Sequence, residues 1–110
     1  TLISPGSYLI FCSELSLFTT LFPDIENYYG NLGFNLSGGS DAVRIFDNFE
    51  HLVDIVEYKD SNPWPSDADG NGPTLELTNP RKDNSEPNNW NNSIGNGTPG
   101  FINSTFEIDG

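Results

Sequence analysis

The apolar residues of this chain come in short runs of period two, broken at close intervals by Gly and Pro. In "DAVRIFD" (41–47) Val43 and Ile45 alternate with Arg44 and Phe46, and "HLVDIVEY" (51–58) follows after a short polar turn. Two such runs predict an antiparallel hairpin. "TLELT" (74–78) predicts another strand, with Leu75 and Leu77 facing in and Thr74, Glu76 and Thr78 facing out. "SYLIFC" (7–12), after the Pro5-Gly6 turn, reads as a buried strand, and "FINSTFEI" (101–108) as a last one. The pattern favours an all-β sandwich or barrel, but the count stops near five strands where such sandwiches carry about seven.

One segment departs from period two. Leu15, Phe18 and Phe22 recur at helical spacing in "ELSLFTTLF" (14–22), as do Leu17 and Leu21. Ser13 is placed to cap this helix and Pro23 to stop it. A helix this short forms no core alone, so it is expected to cover an end or edge of a sheet. Residues 24–40 read as a loop with aromatic anchors at Tyr28, Tyr29 and Phe34.

The chain is 35% apolar, which is low, and 13% aromatic, which is high. A core in a single domain of this size must therefore rest on large rings rather than many aliphatics. Two polar loops each carry one indole upstream of a glycine turn, "NPWPSDADGNG" with Trp64 and "NNWNNSIGNGTPG" with Trp90. Burying an indole removes roughly 150–250 Å² from water, enough to pin a long loop against a sheet. The competing reading is an aromatic platform for carbohydrate or peptide.

Acidic residues outnumber basic ones 16 to 4, for a formal charge of −12. That argues against phosphate-mediated nucleic-acid binding and against anionic membrane surfaces. It fits a self-repelling surface or one that collects cations. Cys12 is the single cysteine, so no internal disulfide exists, and it is expected as a small core residue. No apolar run approaches the length of a membrane span. The chain opens on Thr1 rather than Met and shows no signal peptide, which points to a piece of a longer protein.

Motifs with chemistry are weak. "DADGNG" (67–72) places Asp67, Asp69 and Asn71 as in the first half of an EF-hand loop, with Gly72 at the turn. The second half fails, because the bidentate Glu is replaced by Thr78 and Pro73 follows the turn glycine. These three residues remain weak candidates for a looser calcium site. The plainer reading is a polar turn in which Gly70 and Gly72 supply positive φ. His51, the single histidine, has no nucleophile beside it and is expected at a hairpin turn. The N-x-S/T sequons at Asn35, Asn91, Asn96 and Asn103 match at the rate an Asn-rich chain would give by chance. No catalytic residue is assigned, and no cofactor.

The order of landmarks from 53 to 103 resembles the second half of the lamin tail domain family, in its bacterial secreted form. The landmarks are Val53-Asp54 with Tyr58, Trp64-Pro65, Asp69-Gly70 with Gly72, and Leu75-Glu76-Leu77. Trp90 with Ser93 follows, then Gly97-Thr98-Pro99-Gly100 with Asn103. Upstream, "ISPGSYLIF" resembles the family's edge strand, and "NLSGGSDAVRIFD" its strand with an L-S-N-x-G-D-type turn. The turn "DNFEH" lacks the family's usual glycine, which leaves Asn48 to take the left-handed conformation.

The resemblance implies an immunoglobulin-like β-sandwich with one short helix, lacking the family's first strands. Residues 1–103 would form that domain, with 104–110 an extra strand or the start of a linker. Trp64, Trp90, Gly70, Gly72, Pro99 and Gly100 would be its structural anchors. The implied role is non-catalytic: an accessory binding or adhesion module of a larger extracellular or surface-attached bacterial protein. Its partner would be a protein or glycan at the cell surface. Missing strands would leave open edges and favour a homodimer. The alternatives are a calcium-stabilised adhesion module and a fragment of a hydrolase that uses clustered carboxylates.

Overall fold

The longest regular element is a hairpin built from the two alternating runs, Ser40–Phe46 and Leu52–Lys59. The computed structural model describes residues 3–37, 39–68 and 70–108. Among these are six strands, one α-helix and one 3-10 turn, and the strands form three separate two-stranded sheets. The chain is thus a small β-rich protein with one short helix. The chain divides into two compact units, Thr1–Leu36 with Thr98–Ile102, and Ser37–Gly97 with Asn103–Gly110.

In the first unit, β1 (Ile10–Phe11) runs parallel to β2 (Tyr28–Tyr29), with Ile10 opposite Tyr28 and Phe11 opposite Tyr29. The strand expected over 7–12 contracts to these two residues, and the loop expected over 24–40 contains a strand. The helix α1 (Leu15–Leu21) connects the pair, as a parallel crossover requires. Its N-cap is Glu14, not Ser13, and Glu14 makes no side-chain cap. A first-turn donor is satisfied from outside the helix instead, by the Leu15 N–H to Asn31 Oδ1 bond of 2.7 Å. Phe18 meets Phe22 and Tyr28 at ring separations of 5.3 and 5.9 Å. Leu17 and Leu21 stay exposed.

Among the described residues Cys12 is the buried apolar residue of this unit. Its N–H donates to the Tyr29 carbonyl and its carbonyl accepts from Leu32 N–H, at 2.9 and 3.0 Å. The segment Thr98–Ile102 turns tightly, with Thr98 Oγ1 donating to the Ile102 carbonyl at 2.7 Å. There Pro99 is half-buried, and Gly100, at φ 85°, lies against Ile25 and Ile10.

In the second unit the hairpin strands, β3 and β4, pair from Ser40↔Lys59 to Phe46↔Leu52, with a bulge between Ile45 and Phe46. The turn is organised by Asp47, whose Oδ1 accepts from Phe49 N–H at 2.8 Å and His51 N–H at 2.9 Å. His51 closes the turn, exposed, with Nδ1 3.3 Å from Asp47 Oδ2. The left-handed residue is Glu50, at φ 66°, and not Asn48. The Asp47 carboxylate explains the difference: holding the Phe49 and His51 amides leaves Glu50 as the residue that must reverse.

The third sheet pairs β5 (Leu75–Leu77) with β6 (Trp90–Asn92) in antiparallel register, Leu77 opposite Trp90. A 3-10 turn, Pro87–Asn89, delivers the chain into β6. The Asn-rich loop therefore contains a strand that its composition hides. Residues 101–108, expected as a last strand, are instead turns and irregular chain. Among the described residues no helix is long and apolar enough to cross a membrane.

A non-glycine residue in the left-handed region is strained. Replacing Glu50 with Gly is expected to stabilise the protein by up to about 1 kcal/mol, after the entropic cost of Gly. Asn48→Gly should bring no gain, and chemical denaturation of both variants checks this.

Candidate functional site

Glu76 was expected to face water. It is instead 4% exposed and sits at the centre of the best-organised polar cluster among the described residues. Its Oε1 accepts from Ser104 Oγ (2.8 Å), Thr105 N–H (3.0 Å) and Thr105 Oγ1 (2.9 Å), and its Oε2 from Ser104 N–H (3.3 Å). A buried carboxylate is tolerated when donors converge on it in this way. The flanking Leu75 and Leu77 are only half-buried. The inward face of this strand is therefore chosen by hydrogen bonding, not by apolar alternation.

Side chains continue the attachment of the C-terminal segment in both directions. Asn103 Nδ2 donates to the Leu77 carbonyl at 2.8 Å. Asn79, also buried, donates from Nδ2 to the carbonyls of Glu107 and Ile108 at 2.9 and 3.1 Å. One backbone bond joins them, Glu107 N–H to the Thr78 carbonyl at 2.8 Å. Residues 103–108 thus lie along 76–79 without forming a ladder. Phe106 and Ile108, expected to face in from such a strand, are both exposed.

The two tryptophans meet in this unit, their ring centroids 6.0 Å apart. Trp64 is 8% exposed, while Trp90 is half-buried. Trp90 Nε1 donates to the Asn84 carbonyl at 2.8 Å, which closes the loop 84–90 upon itself. Further anchors come from Ser93, which is buried: its Oγ accepts from Thr74 N–H at 2.8 Å and donates to the Gly95 carbonyl at 2.9 Å. At Gly97, φ 84°, a Cβ would stand 2.6 Å from Thr74 Oγ1, so only glycine fits.

Of the calcium candidates, Asp67 and Asn71 are exposed, and Asp69 lies outside the described residues. Gly70 and Gly72 hold positive φ, 79° and 109°, and Gly70 N–H donates to the Ala68 carbonyl at 3.0 Å, which is the geometry of a polar turn. Among the described residues no group of three His, Cys, Asp or Glu side chains is gathered as a metal site.

At the hairpin, Asp41 accepts from Ser37 N–H at 3.0 Å and Ala42 N–H at 2.8 Å. These bonds hold its carboxyl below the usual aspartate range, with Arg44 adding a weaker pull. Tyr58 Oη donates to the Ser37 carbonyl. Desolvation, then the Asp41 charge, pushes the Tyr58 phenol up.

Compared with protein-family models, with curated proteins and with solved structures, the chain matches none. The residues that sequence reasoning missed are Glu76 as a buried hub, with Asn79, Ser104 and Thr105 around it. The one visible signal was the density of short hydroxyl and amide side chains at 103–105, too common in this chain to single out.

Glu76→Ala removes the acceptor from four donors and is expected to cost roughly 2–4 kcal/mol, read as a lower denaturation midpoint. The Asp41 effect has a definite sign. Its folded pKa is depressed, so its contribution is present above the unfolded value and disappears as pH falls through the folded one. Asp41→Asn should therefore remove part of the acid-induced loss of stability, seen by comparing the two melting curves across the acid range.

Proposed function

We propose that the chain is a non-catalytic binding or adhesion module of a larger secreted or surface-attached bacterial protein. Its partner in this reading is a protein or glycan at the cell surface. The observation that carries the reading is the exposure of large apolar side chains on a strongly acidic chain. On the hairpin unit these include Phe46, Phe49, Leu52 and Val53, and in the other unit Phe11 and Tyr29. Where such side chains gather into a patch on a charged chain, the patch marks a surface that other molecules cover.

The landmarks shared with the lamin tail domain family support the same reading, as does the two-residue length of β1 and β2. In this proposal the fold is of the immunoglobulin-like β-sandwich class. Glu76 and the tryptophan pair serve architecture: the Glu76 oxygens are occupied by donors of the same chain. A general acid or base must instead reach a substrate proton.

The test is display. Cells made to carry the chain on their surface should gain attachment to protein-coated or glycan-coated supports over cells carrying an unrelated acidic domain. Equal attachment on every support contradicts the proposal. The proposal also requires no metal, so millimolar calcium should leave the melting temperature unchanged. A saturable rise that Asp67→Ala abolishes would favour the calcium-stabilised alternative, since a ligand of the native state alone must raise it.

A further inference from the structure

The hydrogen-bond phase of the hairpin sets which backbone groups point outward. Asp60 N–H donates to the Gly39 carbonyl at 2.9 Å, next to the pair Ser40↔Lys59. By alternation, Asp41, Val43 and Ile45 face Tyr58, Val56 and Asp54 as the hydrogen-bonded pairs. The backbone groups of Ala42 and Arg44 then point out of one edge, and those of Ile55, Glu57 and Lys59 out of the other. Neither edge has a strand beside it among the described residues.

Two aspartates confirm the phase and qualify both edges. Ala42 N–H donates to Asp41 Oδ1 and Ile55 N–H to Asp54 Oδ1, each at 2.8 Å. A carboxylate on an outward donor discourages pairing with a second copy, which would bring the same negative charges together. A chain of net charge −12 adds to that repulsion. The dimer expected from open edges is therefore opposed by the side chains that line them.

The two edges differ in charge. On β3, Arg44 stands in mid-strand, and both Asp41 oxygens are held by backbone amides. Along β4 stand Asp54, Glu57 and Asp60, with Lys59 the one cation in 52–60. None of these three carboxylates forms an ion pair among the described residues. Beside them lie Val53, exposed, and Ile55 and Val56, half-buried. Asn84 Nδ2 reaches Asp54 Oδ1 at 3.0 Å, so the free stretch runs from Ile55 to Lys59.

We propose that the outer edge of β4 docks an extended basic segment of another protein, which adds to the hairpin as a third strand. Main-chain bonds to Ile55, Glu57 and Lys59 supply the pairing. Lysine or arginine at alternate positions lies on the face of Asp54 and Asp60, and β-branched residues between them lie on the face of Ile55 and Glu57 and cover Ile55. A cation also draws the Asp54 carboxylate off the Ile55 amide, freeing the donor that the incoming strand needs. This is strand addition with charge selecting the partner, and it rests on the binding-module reading above.

The probe is a synthetic peptide alternating lysine with valine, set against the same peptide with glutamate for lysine. The lysine peptide should bind at low salt, weaken as salt rises, and shift the amide resonances of Ile55, Glu57 and Lys59. Glu57→Pro removes an outward N–H that makes no bond within the hairpin, and should weaken binding about tenfold or more, whereas Ala42→Pro on the other edge should not. Should Glu57→Pro disturb the fold, the triple variant Asp54→Asn, Glu57→Gln, Asp60→Asn keeps the backbone and should lose the peptide as well. Absence of lysine-peptide binding, equal binding of the glutamate peptide, or equal loss in both proline variants overturns the proposal. So does a peptide-free dimer paired through β4. Cell attachment that persists when peptide pairing fails removes this inference alone, while loss of attachment removes the reading beneath it.

Discussion

The buried carboxylate of Glu76 is the constraint on which the second unit depends. Its oxygens draw the N–H and hydroxyl groups of Ser104 and Thr105, 28 and 29 residues further along the chain, onto a strand of three residues. Without those donors the acid could not stay inside, and without the acid the C-terminal segment would keep the bonds of Asn79 and Asn103, the Ile94 N–H bond to Ser104 Oγ and one backbone bond. Among the described residues of this unit Trp64 is the one buried apolar side chain, so apolar packing gives little alternative source of order. Local polar bonding does here what a large apolar core does in other proteins of this size.

A structure held this way leaves much of its apolar surface uncovered. The hairpin shows the consequence most clearly: Ile45, Phe46, Leu52 and Val53 are all exposed although they lie in its longest ladder. The acidic side chains along the same strands repel a second copy of the chain, and in the proposal above they favour a partner of opposite charge. Architecture and proposed function thus meet in the distribution of carboxylates. Glu76 is turned inward to bind the chain, and Asp54, Glu57 and Asp60 form no ion pair among the described residues.

Part of this was legible in the sequence. The hairpin could be read because Val43 with Ile45, and Val53 with Ile55, repeat at strand period on either side of a polar turn. The helix could be read from Leu15, Phe18 and Phe22, since helical spacing survives in a short segment. Strand β6 could not, because its Asn91 and Asn92 carry the composition of a loop. The facing of β5 was read backwards at Glu76, for alternation assumes that an acid seeks water. What reversed it was a set of donors far along the chain, invisible to any local pattern. Glu50 in place of Asn48 at the hairpin turn has the same origin, a single carboxylate, Asp47, holding the amides on either side.

Native-state hydrogen exchange measures the central claim most directly, because it reports the opening of each amide. If Glu76 organises the second unit, the amides of Ser104, Thr105 and Glu107 should be among the slowest to exchange, alongside Thr78 and Ser93. They should be far slower than the outward amide of Glu57. Ser104, Thr105 and Glu107 exchanging as fast as Glu57 would contradict the account, since the C-terminal segment would then not be held by the buried carboxylate.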